Sequence, residues 1–144
     1  MIDFFTKAQG DEIIAAIKQA ELNTSGEIRV HIEAKCKGEI VHAARKTFKR
    51  LKMQLTKDKN GVLFFIAPER KEFAVIGDEG IDKVVPENFW EDIRDALQQN
   101  FKHAQFKEGV IAGIKRVGEK LKDYFPYQDD DENELPDEIS YGGQ

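Results

Sequence analysis

Asn60-Gly61-Val62-Leu63-Phe64-Phe65-Ile66-Ala67 decides the fold. The run Val62–Ala67 is apolar at every position, so a strand built from it has no face to offer water. Such a strand belongs inside a sheet covered on both sides by helices. Asp58-Lys59-Asn60-Gly61 before it and Pro68-Glu69-Arg70-Lys71 after it are turn signals, which fix the strand to 61–67. Upstream, Ile28, Val30 and Ile32 alternate with Arg29, His31 and Glu33, the period-two pattern of a strand over 27–34 with one buried face. Between the two strands, Ile40, Ala43, Ala44, Phe48, Leu51 and Leu55 share a helical face over 39–55. A strand–helix–strand order of this length implies parallel strands joined by a right-handed crossover. Downstream, Phe73, Val75 and Ile76 return antiparallel as the second arm of a hairpin, closed by Gly77-Asp78-Glu79-Gly80.

Helices flank this unit. Thr6 and Gln9 form a capping-box pattern ahead of a helix from Lys7 to Leu22, whose apolar face carries Ile13, Ile14, Ile17 and the Ala20/Glu21 position. Pro86 opens a third helix with Phe89, Trp90, Ile93 and Leu97. A fourth runs from Phe106 to Tyr124, with Val110, Ile114, Val117 and Leu121 as its stripe, and Pro126 stops it. The order α-β-α-β-β-α-α defines an α/β class and a three-layer α/β/α sandwich. The expected organisation is a single domain over 1–126. An acidic, flexible tail over 127–144 follows, without secondary structure apart from docking of Leu135 or Ile139.

The charge supports that division. The 144 residues carry 22 Lys+Arg and 27 Asp+Glu, a formal net charge of -5. Seven of the acids lie between Gln128 and Gln144, where no base occurs, so the body holds 20 acids against 22 bases. A near-neutral body lacks the concentrated basic face of a nucleic-acid binder. Cys36 is the single cysteine, which excludes an intramolecular disulfide and a cysteine-based zinc site. No apolar run approaches the roughly 18–20 residues of a membrane span, and no signal-peptide pattern opens the chain. The expectation is a soluble, cytoplasmic monomer.

Topology locates the chemistry. Parallel strands start at one edge of the sheet and the antiparallel strand ends there, so three loops should converge: Thr24–Glu27, Asp58–Gly61 and Gly77–Gly80. Glu27, Asp58, Asn60, Asp78 and Glu79 bring carboxylate and amide oxygens to that edge. Calcium takes six to eight oxygens in flexible geometry, and clustered carboxylates repel unless a cation or protons intervene. The same residues are also what a tight turn uses. No EF-hand spacing, Walker sequence, dinucleotide fingerprint or Gly-x-Ser-x-Gly elbow occurs. His31, His42 and His103 lack metal-ligand spacing and read as surface or packing residues, with His31 on the polar face of its strand. Lys46, Lys49, Arg50 and Lys52 give the second helix a basic side, either a solvated face or a contact for a partner or an anionic lipid, with the acidic tail as an internal competitor.

In order, Thr24-Ser-Gly-Glu-Ile-Arg-Val30, Asn60–Ala67, Phe73-Ala-Val-Ile-Gly-Asp-Glu-Gly-Ile81 and Phe106-Lys-Glu-Gly-Val-Ile-Ala-Gly-Ile114 resemble the TPM domain, the family that includes the thylakoid-lumen acid phosphatase and the photosystem II repair protein. The resemblance spans residues 1 to 125. It implies a Rossmann-like sandwich with a mixed sheet of about four strands, the fourth expected at Ile81–Val85. It also implies calcium, or magnesium or another divalent ion, on acidic loop residues, which by position are Asp58, Asn60, Asp78 and Glu79, with Glu27 beside them. Three functions follow: a non-enzymatic or accessory cation-binding module, a metal-dependent phosphatase acting on phosphate monoesters, or a metal-free protein-interaction domain using the basic helix or the tail. For the phosphatase, the sequence identifies no nucleophile or general acid.

Overall fold

A computed structural model describes residues 4–127 and 135–142. Its helices are α1 (Lys7–Glu21), α2 (Ile40–Arg50), α3 (Glu79–Asp82), α4 (Glu91–Phe101) and α5 (Phe106–Leu121). Its strands are β1 (Glu27–Glu33), β2 (Gly61–Ala67), β3 (Glu72–Gly77) and β4 (Ser140–Gly142). They form one mixed sheet in the order β3-β2-β1-β4. β1 runs parallel to both β2 and β4, and β3 is antiparallel to β2.

All seven residues of β2 are buried. Val62, Phe64 and Ile66 enter one core with Ile13 and Ile17 of α1, Leu97 of α4 and Ile114 of α5. Leu63 and Phe65 enter a smaller core on the opposite face with Ala44 and Phe48 of α2, Met53 and Leu135. The apolar run thus divides by the strand's period of two between two helical layers. At the start of α1 the capping box forms as the sequence predicts: Gln9 N–H donates to Thr6 Oγ1 at 3.1 Å and Thr6 N–H to Gln9 Oε1 at 3.0 Å.

Four expectations are corrected. The fourth strand is not Ile81–Val85; Asp78 caps the short α3 there, and Ile81 turns into the larger core. The fourth strand comes instead from the C-terminal segment expected to lack secondary structure: Ser140–Gly142 pairs with His31–Glu33, and Ala34 N–H donates to Gly142 O at 2.8 Å. The second helix ends at Arg50 rather than Leu55, because Lys52 adopts a left-handed conformation (φ 60°) before a 3₁₀ turn at Met53–Leu55. A 3₁₀ turn, Glu87–Trp90, likewise precedes α4 after Pro86. The acidic run 128–134 lies outside the described residues.

The polar face of β1 is also not a water-facing one. Glu27 and His31 are 3% and 0% exposed, because Leu135 and Ser140 lie across them. Leu135 N–H donates to Glu27 Oε1 at 2.7 Å, and the His31 ring joins Ser140 Oγ at 2.9 Å and Glu33 Oε1 at 2.7 Å. Beside them, Glu21 Oε2 accepts from Ile28 N–H at 3.1 Å. Burial, then a side-chain hydrogen bond with Asp137, push the Glu21 carboxyl up to about 9. Burial holds His31 below its ordinary value, opposed by Glu33.

These shifts carry opposite signs. Glu21 binds its proton more tightly folded than unfolded, so its contribution to stability is full below about 4.5 and is lost as pH rises toward about 9. His31 has the depressed value, so its contribution is present above the unfolded value and lost on acidification. Glu21→Gln leaves the His31 effect in place. The difference in unfolding free energy between the variant and the wild type, measured in urea at successive pH values, should therefore grow in the variant's favour by about 1 kcal/mol per pH unit above about pH 5. A pH-independent difference would mean that Glu21 is not protonated in the fold.

Candidate site at the sheet edge

The edge forms because the β1–β2–β3 register requires it. Glu27 lies beside Gly61, and Val62 beside Gly77. Glu27 N–H donates to Asn60 O at 3.2 Å, and Asp78 N–H to Gly61 O at 3.0 Å, tying the three loops together through backbone. Asn60 is buried at 2% exposure, and its Nδ2 reaches Ser25 Oγ at 3.4 Å. At Gly80 the turns meet without room for a side chain, since a Cβ would collide with the backbone carbonyl oxygens of Asp58 and Lys59.

The five carboxylate and amide residues expected here do not play one role. Asp78, at 9% exposure, uses Oδ1 to accept the Glu79 N–H at 2.8 Å, the N-cap of α3. Its Oδ2 is buried with no hydrogen-bond partner. Glu79 and Asp58 are exposed. Glu27 faces the C-terminal segment, where Leu135 takes one of its oxygens.

Asp78 and Glu79 line a cleft of about 510 Å³ beside Phe48 and Ile76. Sequence reasoning missed three of its members, Gln54, Asp82 and Arg45. Gln54 lies on the 3₁₀ turn, and its side-chain Oε1 is also buried and unpartnered. Asp82 accepts from Trp90 Nε1 at 3.4 Å. Arg45 and Lys49 of α2, with Lys59, form a cationic wall; Lys59 Nζ donates to Gln54 O at 2.6 Å. Gln54 gives no signal in sequence, because its orientation follows from the left-handed Lys52 rather than from any periodicity. Among the described residues, no three His, Cys, Asp or Glu side chains gather as a metal-ligand set.

The architecture is an α/β sandwich whose three turns meet at one sheet edge around a capping aspartate. A TPM domain family model matches residues 2–120, and the chain belongs to that family. Among solved structures, it is similar to the BA42 protein of the psychrophilic bacterium Bizionia argentinensis, at 44% identity and a TM-score of 0.93, over 99% of this chain and 98% of that one. The N-terminal domain of cg2496 from Corynebacterium glutamicum shares the fold at 12% identity and a TM-score of 0.66, over 94% and 80% of the two chains. An N-terminal domain from P. gingivalis does so at 15% identity and a TM-score of 0.66, over 86% and 82%. Comparison with curated proteins finds no match. Among the described residues, no helix is long and apolar enough to cross a membrane.

The Gly80 contact gives a direct test of the edge. Gly80→Ala must displace the carbonyls of Asp58 or Lys59, so it should destabilise by about 1–3 kcal/mol in urea unfolding. Gly38→Ala, where a Cβ meets nothing within 4 Å but φ is +73°, tests backbone strain alone and should cost about 1 kcal/mol. A Gly80→Ala protein as stable as the wild type would mean that the 58–61 and 77–80 turns are not packed together.

Proposed function

We propose that this protein is a divalent-cation-binding TPM module with a non-enzymatic or accessory role, and that calcium binds at the sheet edge. The observation that carries this reading is the second carboxylate oxygen of Asp78, buried and unpartnered in a cleft that also holds the unpartnered Gln54 Oε1. A buried carboxyl oxygen without a partner is costly, and a hard cation satisfies it. Asp78, Glu79 and Gln54 would supply oxygens from the cleft, and Asp58 and Asn60 from the adjoining turn. Glu27 is assigned to the C-terminal segment instead. These residues fit calcium's chemistry because it accepts carboxylate, amide and carbonyl oxygens together.

Affinity should be weak. Few carboxylates converge, and Arg45 and Lys49 line the same cleft, so a dissociation constant near the 10⁻⁴–10⁻³ M of low-affinity calcium modules is expected. At tenfold excess over that constant, calcium should add about 1.4 kcal/mol and raise the melting temperature by roughly 3–6 °C relative to chelator. Asp78→Asn retains an N-cap side chain and so preserves α3, but should abolish the shift. A midpoint unchanged by calcium in the wild type, or an equal shift in Asp78→Asn, would remove this reading.

The cationic wall favours a second reading, metal-dependent hydrolysis of phosphate monoesters, with Arg45 and Lys49 facing the ester's anion. In that case turnover of a chromogenic phosphate ester should fall at least about tenfold in both Asp78→Asn and Arg45→Ala. Turnover that survives both changes belongs to a contaminant.

A further inference from the structure

A second cavity, of about 340 Å³, lies on the α2 side of the sheet under the C-terminal segment. Arg29 of β1 and Lys52 enter it, with Leu51, Leu55, Thr56 and Leu135 as further walls. Two polar atoms in it have no partner. Thr56 is 3% exposed and its Oγ1 bonds to nothing, and the buried Arg29 Nε is likewise unsatisfied. Leu55, at the same cavity, is 67% exposed. No residue of this cavity was among those expected at the sheet edge.

From this juxtaposition we propose that the cavity binds a small amphipathic carboxylate. A guanidinium half-withdrawn from water presents parallel donors that match a carboxylate's two oxygens, which is the geometry Arg provides and Lys does not. The Thr56 hydroxyl donates to the same group, and Lys52 adds charge at its entrance. Glu138 acts on Arg29 electrostatically, and the Arg29 Nε–H has no hydrogen-bond partner, so that donor is open to a ligand. Leu51, Leu55 and Leu135 supply an apolar wall that inorganic phosphate or sulfate cannot use. At this volume, near the lower end for ligand pockets, the ligand is a short- or medium-chain acid rather than a nucleotide.

The binding is independent of the cation proposed at the sheet edge, because the two cavities share no lining residue. Amide NMR of the full chain titrated with sodium hexanoate is the test. Saturable shifts should cluster at Arg29, Thr56 and Leu135, in calcium and in chelator alike. Arg29→Met should weaken hexanoate at least about tenfold, as loss of a charged hydrogen bond requires. Thr56→Val, a near-isosteric change that keeps the core filled, should weaken it about threefold to tenfold and provides the check if Arg29→Met does not fold. Inorganic phosphate and hexanol should each fail to reproduce the pattern. The proposal is overturned by non-saturating shifts, by an equal response to phosphate or hexanol, or by unchanged affinity in folded Arg29→Met or in Thr56→Val.

Discussion

Every other feature of this molecule depends on a strand that cannot touch water. β2 is buried at each of its positions, so the sheet must be covered on both faces. The two covers are unequal. α1, α4 and α5 lie over one face, and with Phe5, Ile81 and Phe89 they bury Val62, Phe64 and Ile66. Among the described residues, α2 and one 3₁₀ turn cover the other face, and its core is closed by Leu135, nearly seventy positions beyond β2 in sequence. The C-terminal segment is therefore a structural part of the sandwich. Its docking next to β1 extends the sheet at one edge and covers the polar side chains of that strand.

That docking explains why the body's parts were legible in sequence, while of the tail the docking of Leu135 was and the strand was not. The capping box of α1, the period of β1, the continuous apolar run of β2 and the stripe of α5 are local patterns, and each gives its element directly. β4 has three residues, Ser140-Tyr-Gly142, and too short a pattern to separate from a loop. What orders it lies 109 residues away, at His31. The sequence did hold one clue: Glu21 falls four residues after Ile17 on the apolar face of α1, a carboxyl where a hydrophobe belongs. Its raised affinity for a proton follows from that position. Ile81–Val85 misled for the converse reason. An apolar pair reads as strand, but the Asp78 cap starts a helical turn first.

At the sheet edge, topology was readable and individual roles were not. Parallel β1 and β2 with antiparallel β3 oblige three turns to meet, and they do meet, through Asn60, Gly61 and Gly80. Backbone bonds hold those turns, however, so the acids among them are free to differ. Asp78 becomes a cap, Glu27 an acceptor for Leu135, and Asp58 and Glu79 face outward. Composition says which oxygens reach the edge. Only the hydrogen bonds say which of them still lack a partner.

The two cavities are linked by a short stretch of chain. Gln54 lines one, Lys52 and Thr56 line the other, and all three belong to the turn that follows α2. Lys52 sets its direction with a left-handed backbone, Met53 at 0% exposure pins it to the smaller core, and Lys59 clamps the Gln54 carbonyl. Gln54 leaves that pinned methionine toward one cavity and Leu55 and Thr56 toward the other, so one turn presents unsatisfied polar atoms on two sides. A buried polar atom without a partner costs roughly 1–3 kcal/mol, and Gln54 Oε1 and Thr56 Oγ1 are two such atoms within three residues. Tight packing of Met53 against β2 holds the turn in this conformation despite that cost. The thinner cover on this face of the sheet thus leaves a partly unsatisfied turn between two open cavities, each lined by its own residues.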